Sequence, residues 1–204
     1  VKREDNTRAK ILAVAGELFV TKGFEETRIS DIIDGLDGLT KGAVYYHFES
    51  KEDIFSAFSE QMSQQNKELF DSITNDTSLK GNEKLIKLVH YAINNDDTEQ
   101  IMKMTPNLLL NPKLLAGFMR EIEDVTVPRY ILPIIEEGIA DGSIDVEYPE
   151  EVAQLIMVLL NVWLNPLMYR TSQQIVKNKI VMINKILKGF NIELFKGLNL
   201  KKLY

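Results

Sequence analysis

"LTKGAVYYHFESKED", Leu39–Asp53, is the stretch whose reading decides this chain. At about 100° per residue on a helical wheel, Val44 and Phe48 fall together on one side, and Gly42 and Tyr46 fall opposite. Lys41 and Tyr45 flank one edge, and Ala43 and His47 flank the other. The apolar anchor is narrow. The outer face combines small residues, which permit close approach, with long polar residues, which reach sideways. That is the form of a short helix inserted into a groove.

Working back toward the N-terminus, Ile29, Ile32, Ile33 and Leu36 repeat at the spacing of a second short amphipathic helix. A turn rich in Gly and Asp, Gly35 to Gly38, separates it from Thr40, which opens the next. Ahead of both, Ile11, Ala15, Leu18 and Phe19 mark a buried stripe on a helix over residues 6–22, stopped by Gly23 and Phe24. The three pieces make a helix-turn-helix head over residues 1–50, with the third helix as the one that enters the major groove of DNA.

The chemistry of the head agrees with this assignment. Backbone N–H groups at helix starts bind phosphate, which nominates Thr27 and Arg28 before the second helix, Thr40 and Lys41 at the third, and Ser50 and Lys51 at the fourth. Tyr45 and His47 reach phosphates on either side of the groove. Base edges fall to Thr40, Lys41 and Tyr46, with Gly42 allowing the approach. Up to Lys51 there are eight basic and nine acidic residues, so affinity must rest on a few placed cations and amides rather than on a basic surface.

These residues resemble the N-terminal region of TetR-type transcriptional regulators, over roughly residues 8–60. The most specific part is Thr40 to Phe48 followed by Ser50, Lys51 and Glu52, supported by the Lys-Gly-Phe exit from the first helix. The resemblance implies that Tyr45, His47 and Lys51 touch phosphates and that Thr40, Lys41 and Tyr46 lie at the groove. It also implies a dimeric repressor with a small effector. The family commonly runs Ile-Ala-x-x-Ala-Gly-Val-Ser before the recognition helix, and here the segment is one residue longer, with Asp37 before Gly38.

Beyond Ser50 the periodicity stays helical to the end, so the fold is all-α, with a larger helical effector-binding and dimerisation body over residues 51–204. Pro106, Pro112, Pro128 and Pro133 predict several pieces or kinks in the middle of it. "SIDVEYP", residues 143–149, alternates like a strand but has nothing to pair with and is read as a connection. The last two helices, residues 150–168 and 173–190, are apolar on more faces than each other can cover. The surplus suits a two-fold interface, assigned to Leu155, Leu159, Val162 and Trp163 on the first and Ile180, Ile183 and Leu187 on the second.

Candidates for an effector pocket are His90 and Tyr91, the methionines Met102, Met104, Met119 and Met168, and Phe118 and Trp163. Their character predicts an apolar or weakly polar effector. The chain contains no cysteine and only two histidines, which leaves no Cys/His or Ser/His/Asp set, no thiolate metal site and no cofactor motif. The expectation is therefore not an enzyme. Composition and the lack of a long apolar run predict a cytoplasmic, non-membrane protein, while the helix-turn-helix head, the surplus apolar faces of the last helices and the resemblance together imply a homodimer on double-stranded DNA at a palindromic operator. An activator, a regulator controlled by a partner protein, or a helical carrier remain as alternatives.

Overall fold

The computed structural model describes residues 2–94, 107–165, 168 and 172–198. Among them every regular element is helical. The contacts divide the chain into two units, Val1–Asn66 with Asp97–Gly117, and Lys67–Asp96 with Phe118–Tyr204. The division falls inside the fourth helix, later than the boundary at residue 50 that sequence character marks.

The first unit holds α1 (Lys2–Lys22), α2 (Ile29–Asp34), α3 (Lys41–His47) and the start of α4 (Lys51–Thr74). Its core is built from Ile11, Ala15 and Phe19 of α1, Ile32, Val44, Phe48 and Ile54. An aromatic cluster locks α1 to α4: Phe19 lies edge-on to Phe55 at 5.5 Å and to Phe58 at 6.0 Å. Gly16 permits this, since a Cβ there would stand 2.4 Å from the Phe58 ring. Gly35 does the same for α2, where a Cβ would meet Val14 at 2.7 Å. The exit from α1 has the form the sequence predicts: Gly23 takes φ +88, in the left-handed region, and Phe24 is buried beside Phe19 with ring centroids 5.6 Å apart.

The same unit includes a short 3₁₀ turn, Leu108–Leu110, and the start of α6 (Pro112–Glu121), with Leu108 and Leu114 buried. The Glu25 carboxylate accepts from the Asn107 N–H at 3.1 Å and from the Asn111 side-chain amide at 3.3 Å. Lys113 Nζ donates to Asp53 at 2.5 Å. A segment from mid-sequence is thus fastened to the three-helix head.

In the second unit α5 (Gly81–Asn94) packs on α7 (Leu132–Ala140). The crossing is close: a Cβ on Gly81 would lie 2.4 Å from Gly138 Cα. Lys84 is buried there, donating to Glu137 at 2.6 Å and to the Thr74 carbonyl at 2.8 Å. Between α6 and α7 the chain does not break at Pro128; Pro112 and Pro133 sit in the first turns of α6 and α7, and Pro106 lies outside the described residues. Residues Ile122–Ile131 continue as wider π-helical turns, which absorb the missing N–H of Pro128 without a break. Residues 143–148 connect α7 to α8 (Pro149–Val158) as irregular chain. A π-helical turn, Leu159–Trp163, follows α8, and α9 (Gln173–Leu187) ends in a 3₁₀ turn. The core of this unit joins Ile134, Ile135, Ala153, Ile156, Val176, Ile183 and Leu187.

Candidate nucleic-acid interface

The recognition helix is set from both ends. Thr40 caps α3, its hydroxyl accepting from the Ala43 N–H at 3.3 Å; a cap of this kind contributes about 1 kcal/mol. Val44 and Phe48 are buried at 1% and 5% exposure, which anchors the inner side. Gly38, at φ +74, carries the turn that precedes the helix, closed by the Leu39 N–H donating to the Leu36 carbonyl at 3.3 Å. Outward, Tyr46 is 73% exposed and Tyr45 42%. Lys41 Nζ lies 5.6 Å from the Tyr45 ring, and the His47 imidazole meets Tyr46 edge-on at 5.1 Å. Thr40, Lys41, Gly42, Tyr45, Tyr46 and His47 therefore share one accessible surface, with His47 half-buried at its edge.

Three nominated residues stand differently. Thr27 is 1% exposed, and its hydroxyl donates to the Gly23 carbonyl at 2.7 Å; it closes the turn after α1 and has no surface to offer DNA. Lys51 is half-buried, with Nζ donating to the Phe24 carbonyl at 2.7 Å and resting 4.1 Å from the Phe24 ring centroid. Its ammonium thus binds carbonyls of the turn that follows α1. Arg28 is exposed, and its N–H donates to the Asp31 carboxylate at 3.0 Å. Asp31 also pairs with Lys22, and these two contacts, Lys22 first, hold its carboxyl below the usual range. Sequence reasoning missed Arg8, whose guanidinium lies 5.4 Å from the Phe48 ring at the exit of α3. Only the packing of α1 on α3 brings it there.

The effector candidates among the described residues have different surroundings. Met102 and Met104 lie outside the described residues. A cleft of about 730 Å³ in the second unit is lined by His90 but by none of Tyr91, Phe118, Met119, Trp163 or Met168. Tyr91, one step round α5, turns to Phe70 at 6.2 Å, and Phe70 meets Tyr130 at 5.4 Å. Met119 is 37% exposed, and Phe118 and Trp163 pack on the core. Trp163 contributes its carbonyl to Lys179 Nζ at 2.5 Å, and burial holds that ammonium's pKa down.

The residues nominated for a two-fold interface differ in exposure. Leu159, Ile180, Ile183 and Leu187 are buried in the unit's own core, and Val162 and Trp163 are half-buried. Of the residues named, Leu155 is exposed; it is joined by Val158 on α8 and by Ile175, Met182 and Ile186 on α9. The last three follow i, i+7, i+11 and form one outer stripe.

A three-helix head with an outward-facing, capped recognition helix, carried on an all-α chain, defines the helix-turn-helix class. Residues 11–58 match the family model of bacterial regulatory proteins, tetR family. The similarity to the tetR family model is confined to this head. It is 44% identical over 50 residues to the HTH-type transcriptional regulator QacR of Staphylococcus aureus, a match covering 24% of this chain and 26% of that protein. The chain thus spans about a quarter of the length of the curated relatives it matches. The fold extends further. The reduced form of E. coli NemR superimposes with a TM-score of 0.60 at 18% identity, covering 89% of this chain and 97% of that one. A Saccharomonospora viridis regulator in complex with choline gives a TM-score of 0.56 at 22% identity, covering 90% and 96%.

Proposed function

We propose that this chain is a DNA-binding transcriptional repressor, acting as a homodimer on a palindromic operator and released from it by a small-molecule effector. The observation that carries the reading is Gly42. It lies exposed on the outer side of α3, and a Cβ there would meet only Thr40 Oγ1, at 3.8 Å. The chain's own packing therefore does not require glycine, although glycine costs a helix up to about 1 kcal/mol relative to alanine. A position kept bare on an outward face, beside Lys41 and Tyr46, supports close approach to a groove floor. In that approach Lys41 and Tyr46 meet base edges, while Tyr45, His47 and Arg8 serve the phosphate backbone.

The exposed stripe of Ile175, Met182 and Ile186, with Leu155 and Val158, supports a two-fold contact between the last helices of two chains. Such a dimer presents two α3 helices to two half-sites. Helices α4 and α6 have residues in both units and give an effector a route for changing how the heads are held. Nuclease footprinting of the DNA upstream of the gene tests the reading. It predicts one protected stretch with two inverted half-sites about 34–36 Å apart, or a multiple of that. Absence of any protected stretch at saturating protein overturns it.

A further inference from the structure

We propose that the cleft on the outer side of α5 is a binding site for a small hydroxylated anion of the sugar phosphate class. Two residues of its lining, Asn82 and His90, each carry a buried polar atom, Oδ1 and Nε2, that has no hydrogen-bond partner among the described residues. Buried polar atoms are paired in the great majority of cases, and each orphan costs about 1–3 kcal/mol unless something fills the place. Here two such residues line one cleft.

The lining states what fits. Asn82 Oδ1 only accepts, so the ligand must bring a donor; imidazole Nε2 either gives or takes, and a hydroxyl suits both atoms. The lining also carries Lys80, Lys87 and Lys196 with one acid, Glu83, while Asp76 and Glu193 stand beside two of the lysines. Lys87 reaches Asp76 only at 3.4 Å and Lys196 reaches Glu193 only at 3.9 Å, so both pairs are loose enough to yield to a phosphate. Glu83 is held aside by the Lys80 N–H at 2.9 Å. The first N–H groups of α5 take no part, since Gly81 donates to Asp141 at 2.8 Å and Asn82 to Ser143 Oγ at 3.2 Å. A cleft of about 730 Å³ accommodates a hexose phosphate. The inference concerns binding and is measured without DNA, so it stands or falls separately from the repressor reading.

The test is isothermal titration of the full chain with glucose 6-phosphate, inorganic phosphate, glucose and choline. Glucose 6-phosphate is expected to bind at least about tenfold more tightly than phosphate or glucose alone, and choline not at all. Asn82→Leu, which removes an orphan atom, and Lys87→Gln, at a half-exposed position, are each expected to weaken it about tenfold while thermal unfolding shows a protein no less stable than the parent. No heat with glucose 6-phosphate overturns the assignment. So does phosphate binding as tightly as the hexose phosphate, binding indifferent to both variants, or preference for choline.

Discussion

Lys51 Nζ donates to the carbonyl of Phe24 at 2.7 Å while lying 4.1 Å from the centre of the same residue's ring. One side chain thus ties the start of α4 to the turn that follows α1, 27 residues apart in sequence. Lys51→Met is predicted to lower the stability of the head by about 1–2 kcal/mol, since a charge-assisted hydrogen bond is lost at a half-buried position. Urea unfolding followed by circular dichroism measures this. The salt dependence of DNA binding by the folded variant is predicted to stay that of the parent, which separates this role from a phosphate contact.

Gly42→Ala separates folding from binding in the opposite direction. A methyl group there has room within the chain and improves helix propensity, so stability is predicted to rise by about 0.5–1 kcal/mol. On the DNA side the same methyl intrudes on a close contact and is predicted to cost about 1–3 kcal/mol of affinity. Thermal unfolding and a DNA titration on one preparation check both halves.

The two sides of α9 make a paired prediction. Met182→Glu, on the exposed stripe, is predicted to yield folded monomers, whereas Ile183→Glu, at 0% exposure in the core, unfolds the body. Sedimentation equilibrium with circular dichroism distinguishes the two outcomes. A Met182→Glu protein that remains dimeric contradicts the assigned face.

The contact of Lys113 with Asp53 fastens the residue 107–117 segment to the head and carries a definite pH window. The Lys113 hydrogen bond is the main cause holding the Asp53 carboxyl below its ordinary value, and Asp53 in turn raises the Lys113 ammonium. The depressed carboxyl contributes above the unfolded carboxylate range and is lost as pH falls through its folded value. The raised ammonium contributes below the unfolded lysine value and is lost as pH rises through its folded value. The fastening is therefore in force at neutral pH. Hydrogen exchange at the Leu109 and Leu110 amides is predicted to be faster in Lys113→Ala than in the parent at pH 7, and the ratio is predicted to approach one below about pH 3.

The head was largely legible because its signals are local. A glycine stop, a threonine cap and the pairing of Val44 with Phe48 operate within a turn or two, and each has the form the sequence predicts. The surroundings of Thr27 and Lys51 were not legible for the opposite reason. Their partners, Gly23 and Phe24, become partners only when α1 turns back and α4 arrives, and side-chain type alone does not distinguish a lysine on phosphate from one on a carbonyl. In the last helices periodicity exposed an apolar surplus but not its division. The richest stripe, Ile180, Ile183 and Leu187, serves the chain's own core, and the thinner Ile175, Met182 and Ile186 stripe faces out. His90 and Tyr91 are neighbours in sequence, yet one lines a polar cleft and the other packs on Phe70.

The central claim, that α3 reads DNA through its outer face, is tested most directly by fluorescence anisotropy of labelled upstream fragments across a range of salt, with Lys41→Ala beside the parent. The account predicts that one fragment binds well above random DNA, and that Lys41→Ala weakens it, alters sequence preference and flattens the salt slope by about one. A parent that binds no fragment better than random DNA, with Lys41→Ala indistinguishable from it, contradicts the claim.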